Sequence, residues 1–249
     1  MFTARRQLIR TDIAVPYGAS EMIMHALRRG GLNATVTACD GAGTVVTANP
    51  DLVQGIGARM NGLFYTSPVP EVIAAIARLG GTAVVPATAA VDQLAGLRLA
   101  ADQGHKRIAV TVNGFIDQPL DRYAAVAREL DLTVILIVVC TTGVNAGRAA
   151  EIAACADLVW SCGSGPVREQ AGGRALLQIT LAIPVFVMTR TGLAFAAHYA
   201  TPPEAVRDLD PAGQYLIAGN IRGTPLRMAP GDVFLAPARL PVRSAKEPG

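Results

Sequence analysis

Short apolar or β-branched runs alternate along the chain with amphipathic stretches at helical spacing. The runs over 34–39, 82–85, 107–112, 133–139, 157–161 and 184–188 read as strands, because each is near-continuously apolar between turn residues. Helical periodicity fills 50–60, 70–79, 91–103, 121–130, 146–154 and 166–172. Asn49 can cap the first of these, and Gly80-Gly81 and Gly104 supply stops. Strands buried on both faces and separated by helices predict an α/β fold. The expected form is an open, doubly wound, mostly parallel sheet of Rossmann-like type with right-handed crossovers. Beyond residue 200 the pattern changes. Nine of the 16 prolines fall between Pro184 and Pro248, and 214–218 and 232–236 read as short strands. The expected organisation is an α/β core over 1–200 and a proline-rich β appendage over 201–249, with an irregular tail from about Ser244.

Composition narrows the class. The 249 residues are 51% hydrophobic and only 16% charged, well under the roughly 25% of an average globular chain, which excludes intrinsic disorder. The longest apolar run, 132–140, is broken by Thr133 and falls far short of the roughly 20 residues of a spanning helix, so no membrane segment is expected. The opening MFTARRQLIRTD is basic without an apolar stretch behind it, so no secretory signal is expected. Four cysteines in a chain this long suit a reduced, cytoplasmic compartment better than a disulfide scaffold. The net charge is +3, yet 20 of the 22 basic residues are arginine. That bias fits the Ala- and Gly-rich composition. It also fits a small, doubly anionic ligand, whose carboxylate or sulfonate oxygens match the guanidinium fork. No basic run interleaved with aromatics points to nucleic acid. The apolar content and proline-rich C-terminal segment favour a homo-oligomer.

Ligands of open α/β sheets bind beyond the carboxyl ends of the strands, and four segments qualify. In Cys39-Asp40-Gly41-Ala42-Gly43-Thr44, Gly41 and Gly43 permit a tight turn that can bring N–H groups to an anion; a plain turn after a buried cysteine is the alternative. Thr66 and Ser67 precede Pro68 and Pro70, near a helix start where they could cap or bind. Cys140-Thr141-Thr142-Gly143 ends the most apolar strand. In Ser161-Cys162-Gly163-Ser164-Gly165-Pro166-Val167-Arg168, Ser164 can cap a helix while Arg168 lies in its first turns, able to hold an anion. A thiol near a helix start can act as nucleophile or proton donor. No CxxC or His-x-His spacing suggests a metal, the three histidines are scattered, and no phosphate loop, dinucleotide fingerprint or G-x-S-x-G elbow is present. Lys106 precedes a strand and Lys246 lies in the tail, so neither suits a Schiff base and no cofactor is expected.

The strings Gly18-Ala-Ser-Glu-Met-Ile, Cys39-Asp-Gly-Ala-Gly-Thr-Val-Val, Leu52-Val-Gln-Gly-Ile-Gly-Ala-Arg and Thr66-Ser-Pro-Val-Pro-Glu-Val-Ile resemble the methanogenesis marker protein 8 family. Val91-Asp-Gln, Arg107-Ile-Ala-Val-Thr-Val, Thr141-Thr-Gly-Val and Val167-Arg-Glu continue the likeness, which spans roughly residues 15 to 190. Archaeal members are longer at the N-terminus and carry a lysine near the position of Gly165, so a role resting on that lysine does not transfer. The resemblance implies an enzyme of coenzyme M biosynthesis: a carbon–carbon lyase that decarboxylates sulfoacrylate to ethenesulfonate. In that setting Cys39 or Cys162 would be the nucleophile and Asp40 the proton donor or relay. Arg59 and Arg168 would clamp the anions, with Ser67 and Thr142 as further donors. A non-catalytic accessory protein that binds a small anionic metabolite or cofactor would use the same turns.

Overall fold

The computed structural model describes residues 4–9, 14–57, 63, 65–115 and 118–243. The chain folds into two compact units, Met1–Leu136 and Ile137–Gly249. Both are α/β, and the expected class holds: each contains helices and at least one parallel strand pair, and further strands follow at the C-terminal end. Among the described residues no helix is long and apolar enough to cross a membrane.

The first unit contains α1 (Ala19–Arg28), β1 (Ala34–Cys39), β2 (Gly43–Thr47), α2 (Pro50–Gly57), α3 (Pro70–Arg78), β3 (Gly81–Ala83), α4 (Gln93–Asp102), β4 (Arg107–Asn113) and α5 (Asp121–Glu129). Its strands run in the order β3-β2-β1-β4, with β1 parallel to β4 and β2 antiparallel to both β1 and β3. All six residues of β1 are buried, as a strand covered on both faces requires. Asn49 caps α2 as expected, its Oδ1 accepting from the N–H groups of Asp51 and Leu52 at 3.0 and 3.3 Å. On α1 the buried carboxylate of Glu21 accepts from Val15 N–H, Ser20 Oγ and Gln54 Nε2 at 2.7 to 2.9 Å. These bonds replace lost hydration and join α1 to α2.

The pattern of residues missed β2. Gly43-Thr-Val-Val-Thr follows the Cys39 turn and pairs back on β1, with Cys39 opposite Gly43. The tight glycine turn expected after Cys39 is thus the three-residue turn of a hairpin, over 40–42. Gly43 has φ +70°, and a Cβ on it would lie 2.3 Å from Ala89 O, so glycine is required there on both counts.

The second unit opens with the end of β5 (Thr133–Val139). It continues through α6 (Ala146–Cys155), β6 (Leu158–Trp160), α7 (Gly165–Gly172), β7 (Leu177–Ile179), β8 (Val185–Val187), α8 (Arg190–Ala197), β9 (Ala200–Thr201), α9 (Glu204–Arg207), β10 (Tyr215–Ala218), β11 (Thr224–Met228) and β12 (Gly231–Pro237). Strand order is β5-β6-β8-β7-β10-β12-β11-β9, with β5 parallel to β6 and β7 parallel to β10. β8 is antiparallel to β6 and β7. The C-terminal strands, expected as an appendage from 201, are bound into this unit through the β7–β10 ladder.

Candidate functional site

The expected site residues fall into two clusters, one in each unit. In the first unit, Cys39 ends β1 with no exposed surface, packed with Leu8, Ala42, Val45, Leu52, Ile56, Val72 and Ile76. Arg6, itself buried, lies over it. Its Nη1 donates to Cys39 Sγ at 3.6 Å and to Asp40 O at 3.3 Å, and its Nη2 donates to Ile56 O at 3.0 Å. Burial nevertheless dominates and pushes the Cys39 thiol up to about 11; the nearby Arg6 charge pulls the other way and the Asp40 charge adds to the rise. Thr66 ties the turn together. Its hydroxyl donates to Asp40 Oδ1 at 2.6 Å and accepts from Gly41 N–H at 2.9 Å. Gly41 O in turn accepts from Val69 N–H at 2.8 Å. Thr66 therefore fastens the hairpin instead of capping α3, whose N-cap is Val69 without a side-chain bond. Ser67 is exposed. Arg59 lies outside the described residues. What this cluster offers chemically is a locked turn around a protonated, sealed thiol.

The second cluster is open. β5 and β6 are parallel neighbours with Val138 level with Val159; continuing that register two residues sets Cys140 level with Ser161, next to Cys162. Both cysteines hold left-handed backbone, φ 54° at Cys140 and 43° at Cys162, which non-glycine residues rarely adopt. Thr141 Oγ1 donates to Trp160 O at 2.8 Å, and Thr142 Oγ1 accepts from Gly163 N–H at 3.2 Å, tying the two strand ends together. Ser161 Oγ is buried without a hydrogen-bond partner among the described residues. Cys162 is half-buried. Cys140 is exposed as a residue, yet its thiol is raised above the ordinary range, first by desolvation against the protein and then by the charge of Cys162.

α7 starts immediately afterwards. Ser164 caps it as expected, accepting from Val167 N–H at 3.3 Å. A cleft of about 320 Å³ at this helix start is lined by Gly163, Ser164, Gly165, Arg168, Glu169 and Arg243. Gly165 has nothing within 4 Å of where its Cβ would be, so the first turn stays open. Arg168 Nη2 reaches Ala182 O at 3.5 Å. Arg243 Nη2 lies 4.0 Å from Glu169 Oε1. The arrangement can receive an anion on helix N–H groups and two guanidinium groups, and Cys162 directly precedes the lining residue Gly163 in the chain. Among the described residues no three His, Cys, Asp or Glu side chains are placed to hold a metal ion.

Residues 1–200 match the family described as an uncharacterized protein conserved in archaea (DUF2099). The chain belongs to this family. An uncharacterized protein of Methanocaldococcus jannaschii, MJ0054, is 36% identical to the DUF2099 chain over 192 residues, which cover 77% of this chain and 66%, just under two thirds, of that relative. No solved structure matches. Sequence reasoning passed over Arg6 and Arg243. Arg6 stands in a basic opening segment, and Arg243 lies outside the matched residues, next to the expected tail. Nothing in the local pattern distinguishes either from an ordinary surface arginine.

Proposed function

We propose that this DUF2099 chain decarboxylates sulfoacrylate to ethenesulfonate, a step of coenzyme M biosynthesis, and that the reaction runs in the α7 cleft of the second unit. The observation that carries this reading is the cleft itself, where Arg168 and Arg243 meet an open helix start whose lining begins at Gly163, the residue after Cys162. The substrate comes from the resemblance to the methanogenesis marker protein 8 family, and its two anionic groups suit two guanidinium forks. Of the two cysteines expected as nucleophile, Cys162 is favoured. It is half-exposed, whereas Cys39 is sealed and its thiol stands at about 11.

Direct loss of carbon dioxide from sulfoacrylate would leave an unstabilised vinyl carbanion. A thiolate avoids it. Cys162 sulfur adds to the sulfonate-bearing carbon, and the neighbouring carbon takes a proton to give a saturated thioether. The C–CO₂ bond then breaks, its electron pair forms the alkene, and the thiolate leaves. One proton is consumed overall, and carbon dioxide and ethenesulfonate are released. Cys140 is the donor we assign, because desolvation first, and then the neighbouring Cys162, raise its thiol above the ordinary range. Asp40, held by Thr66 in the other unit, is left to the hairpin. A reduced cytoplasm and a homo-oligomer belong to the same proposal.

The test is incubation of the purified chain with sulfoacrylate, following carbon dioxide release and the alkene absorbance. Turnover by the wild type, its loss in Cys162→Ser, and a mass increase on Cys162 equal to one sulfoacrylate are expected. Full turnover by Cys162→Ser would remove the covalent scheme. Tight binding without carbon dioxide release would favour the accessory anion-binding role.

A further inference from the structure

Segment 240–243 follows β12, and three features seat it. Gln178, fully buried on β7, donates from Nε2 to Val242 O at 2.8 Å and accepts from Val242 N–H at 2.9 Å, so one carboxamide stands in for a neighbouring strand. Gln214 accepts from Leu240 N–H at 3.1 Å and donates to Ala175 O at 3.0 Å. Gly172 closes α7 without a side chain; a Cβ there would lie 2.6 Å from Pro241 Cβ. A slip of the segment would strand the buried amide of Gln178, so its register is tightly set. The next residue is Arg243, which therefore enters the cleft from a fixed base.

We infer that Arg243, delivered by this clamped segment, makes the cleft select a ligand with two anionic groups over one with a single group. The inference rests on the reading of the α7 cleft as the anion site. Arg168 comes from the helix and Arg243 from the segment, so the two guanidinium groups have independent anchors and can each take one anionic group. The Glu169 carboxylate beside Arg243 does not forbid this. Both side chains are more than half exposed and 4.0 Å apart, a weak pair that a charged ligand can displace. Residue 243 lies beyond the matched residues 1–200, so this selection belongs to the C-terminal segment of the chain.

Calorimetry on the full chain decides it, with sulfoacetate as the two-anion probe and methanesulfonate as the one-anion probe. Wild type should prefer sulfoacetate. Arg243→Gln should lose about tenfold or more in sulfoacetate affinity while methanesulfonate changes less than about twofold, and Arg243→Lys should recover part of the loss. Gly172→Ala, which displaces Pro241 without touching the cleft lining, should reproduce the loss, and combining it with Arg243→Gln should add little. Unchanged sulfoacetate affinity in Arg243→Gln, or an equal fall for both probes, overturns the inference and leaves the cleft standing as the anion site. Unchanged affinity in a folded Gly172→Ala overturns the delivery by the clamped segment. A wild type that binds neither probe overturns both the inference and the reading beneath it.

Discussion

Burial raises the Cys39 thiol from the ordinary 9.0 to about 11, and the Arg6 guanidinium at 3.6 Å only moderates the rise. The folded chain therefore holds this proton more tightly than the unfolded chain does. Its contribution to stability is complete below about pH 9 and drains away as pH climbs towards about 11, on the order of 2–3 kcal/mol in all. Urea titrations across that window should show the slope in wild type and lose it in Cys39→Ala. The same residue explains why a sequence motif is not yet a site. Cys39 ends β1 and Cys140 and Cys162 follow β5 and β6 by one and two residues, but side-chain environment separates them, and environment is a sum over residues distant in the chain. Thr66 makes the point from the other side. Its hydroxyl reads as a helix cap and instead bridges Asp40 and Gly41 N–H. Thr66→Val should destabilise the chain by about 1–3 kcal/mol in denaturant titrations, because a buried N–H loses its acceptor.

At the scale of elements, the hairpin β1–β2 depends on two glycines that are not equivalent. Both have positive φ, but a Cβ on Gly41 would meet Val69 Cβ at 3.2 Å, while one on Gly43 would meet backbone oxygen at 2.3 Å. Gly43→Ala should destabilise by roughly 2–5 kcal/mol and clearly more than Gly41→Ala, as thermal melts of the two variants would register. Ser164→Ala should lower stability by about 1 kcal/mol through loss of the α7 cap. Caps at Asn49 and Ser164 were legible because capping is local: one side chain answers N–H groups two or three residues away. The strand β2 was not legible. Its five residues follow a glycine turn, and only pairing with β1 marks them as a strand. α1 was not legible either, because its anchor, the 2.7 Å bond from Gln54 Nε2 to Glu21, joins residues 33 positions apart.

At the scale of the molecule, the first unit's core contains a polar ladder running through several elements. Thr44 Oγ1 on β2 donates to Gln93 Oε1 at 2.6 Å, Gln93 Nε2 donates to Thr111 O on β4, and Thr111 Oγ1 donates to Thr37 Oγ1 on β1 at 3.1 Å. Every member is buried, so a break anywhere leaves groups without water. Gln93→Leu should remove roughly 2–4 kcal/mol in urea titrations; a negligible change would mean the ladder is replaceable by apolar packing.

Periodicity by itself determined the α/β class, the limits of β1 and β5 and most helices, because burial of a strand or a helix face is written into neighbouring residues. The sequence also determined the excess of arginine and the strand-end positions of three cysteines. Only the tertiary structure decided which thiol is sealed and which are accessible, that Arg6 lies over Cys39, and that Gln178 fixes the segment bearing Arg243. Those are contacts across 33 and 64 residues of chain, and no local preference specifies them; they follow from where whole elements pack.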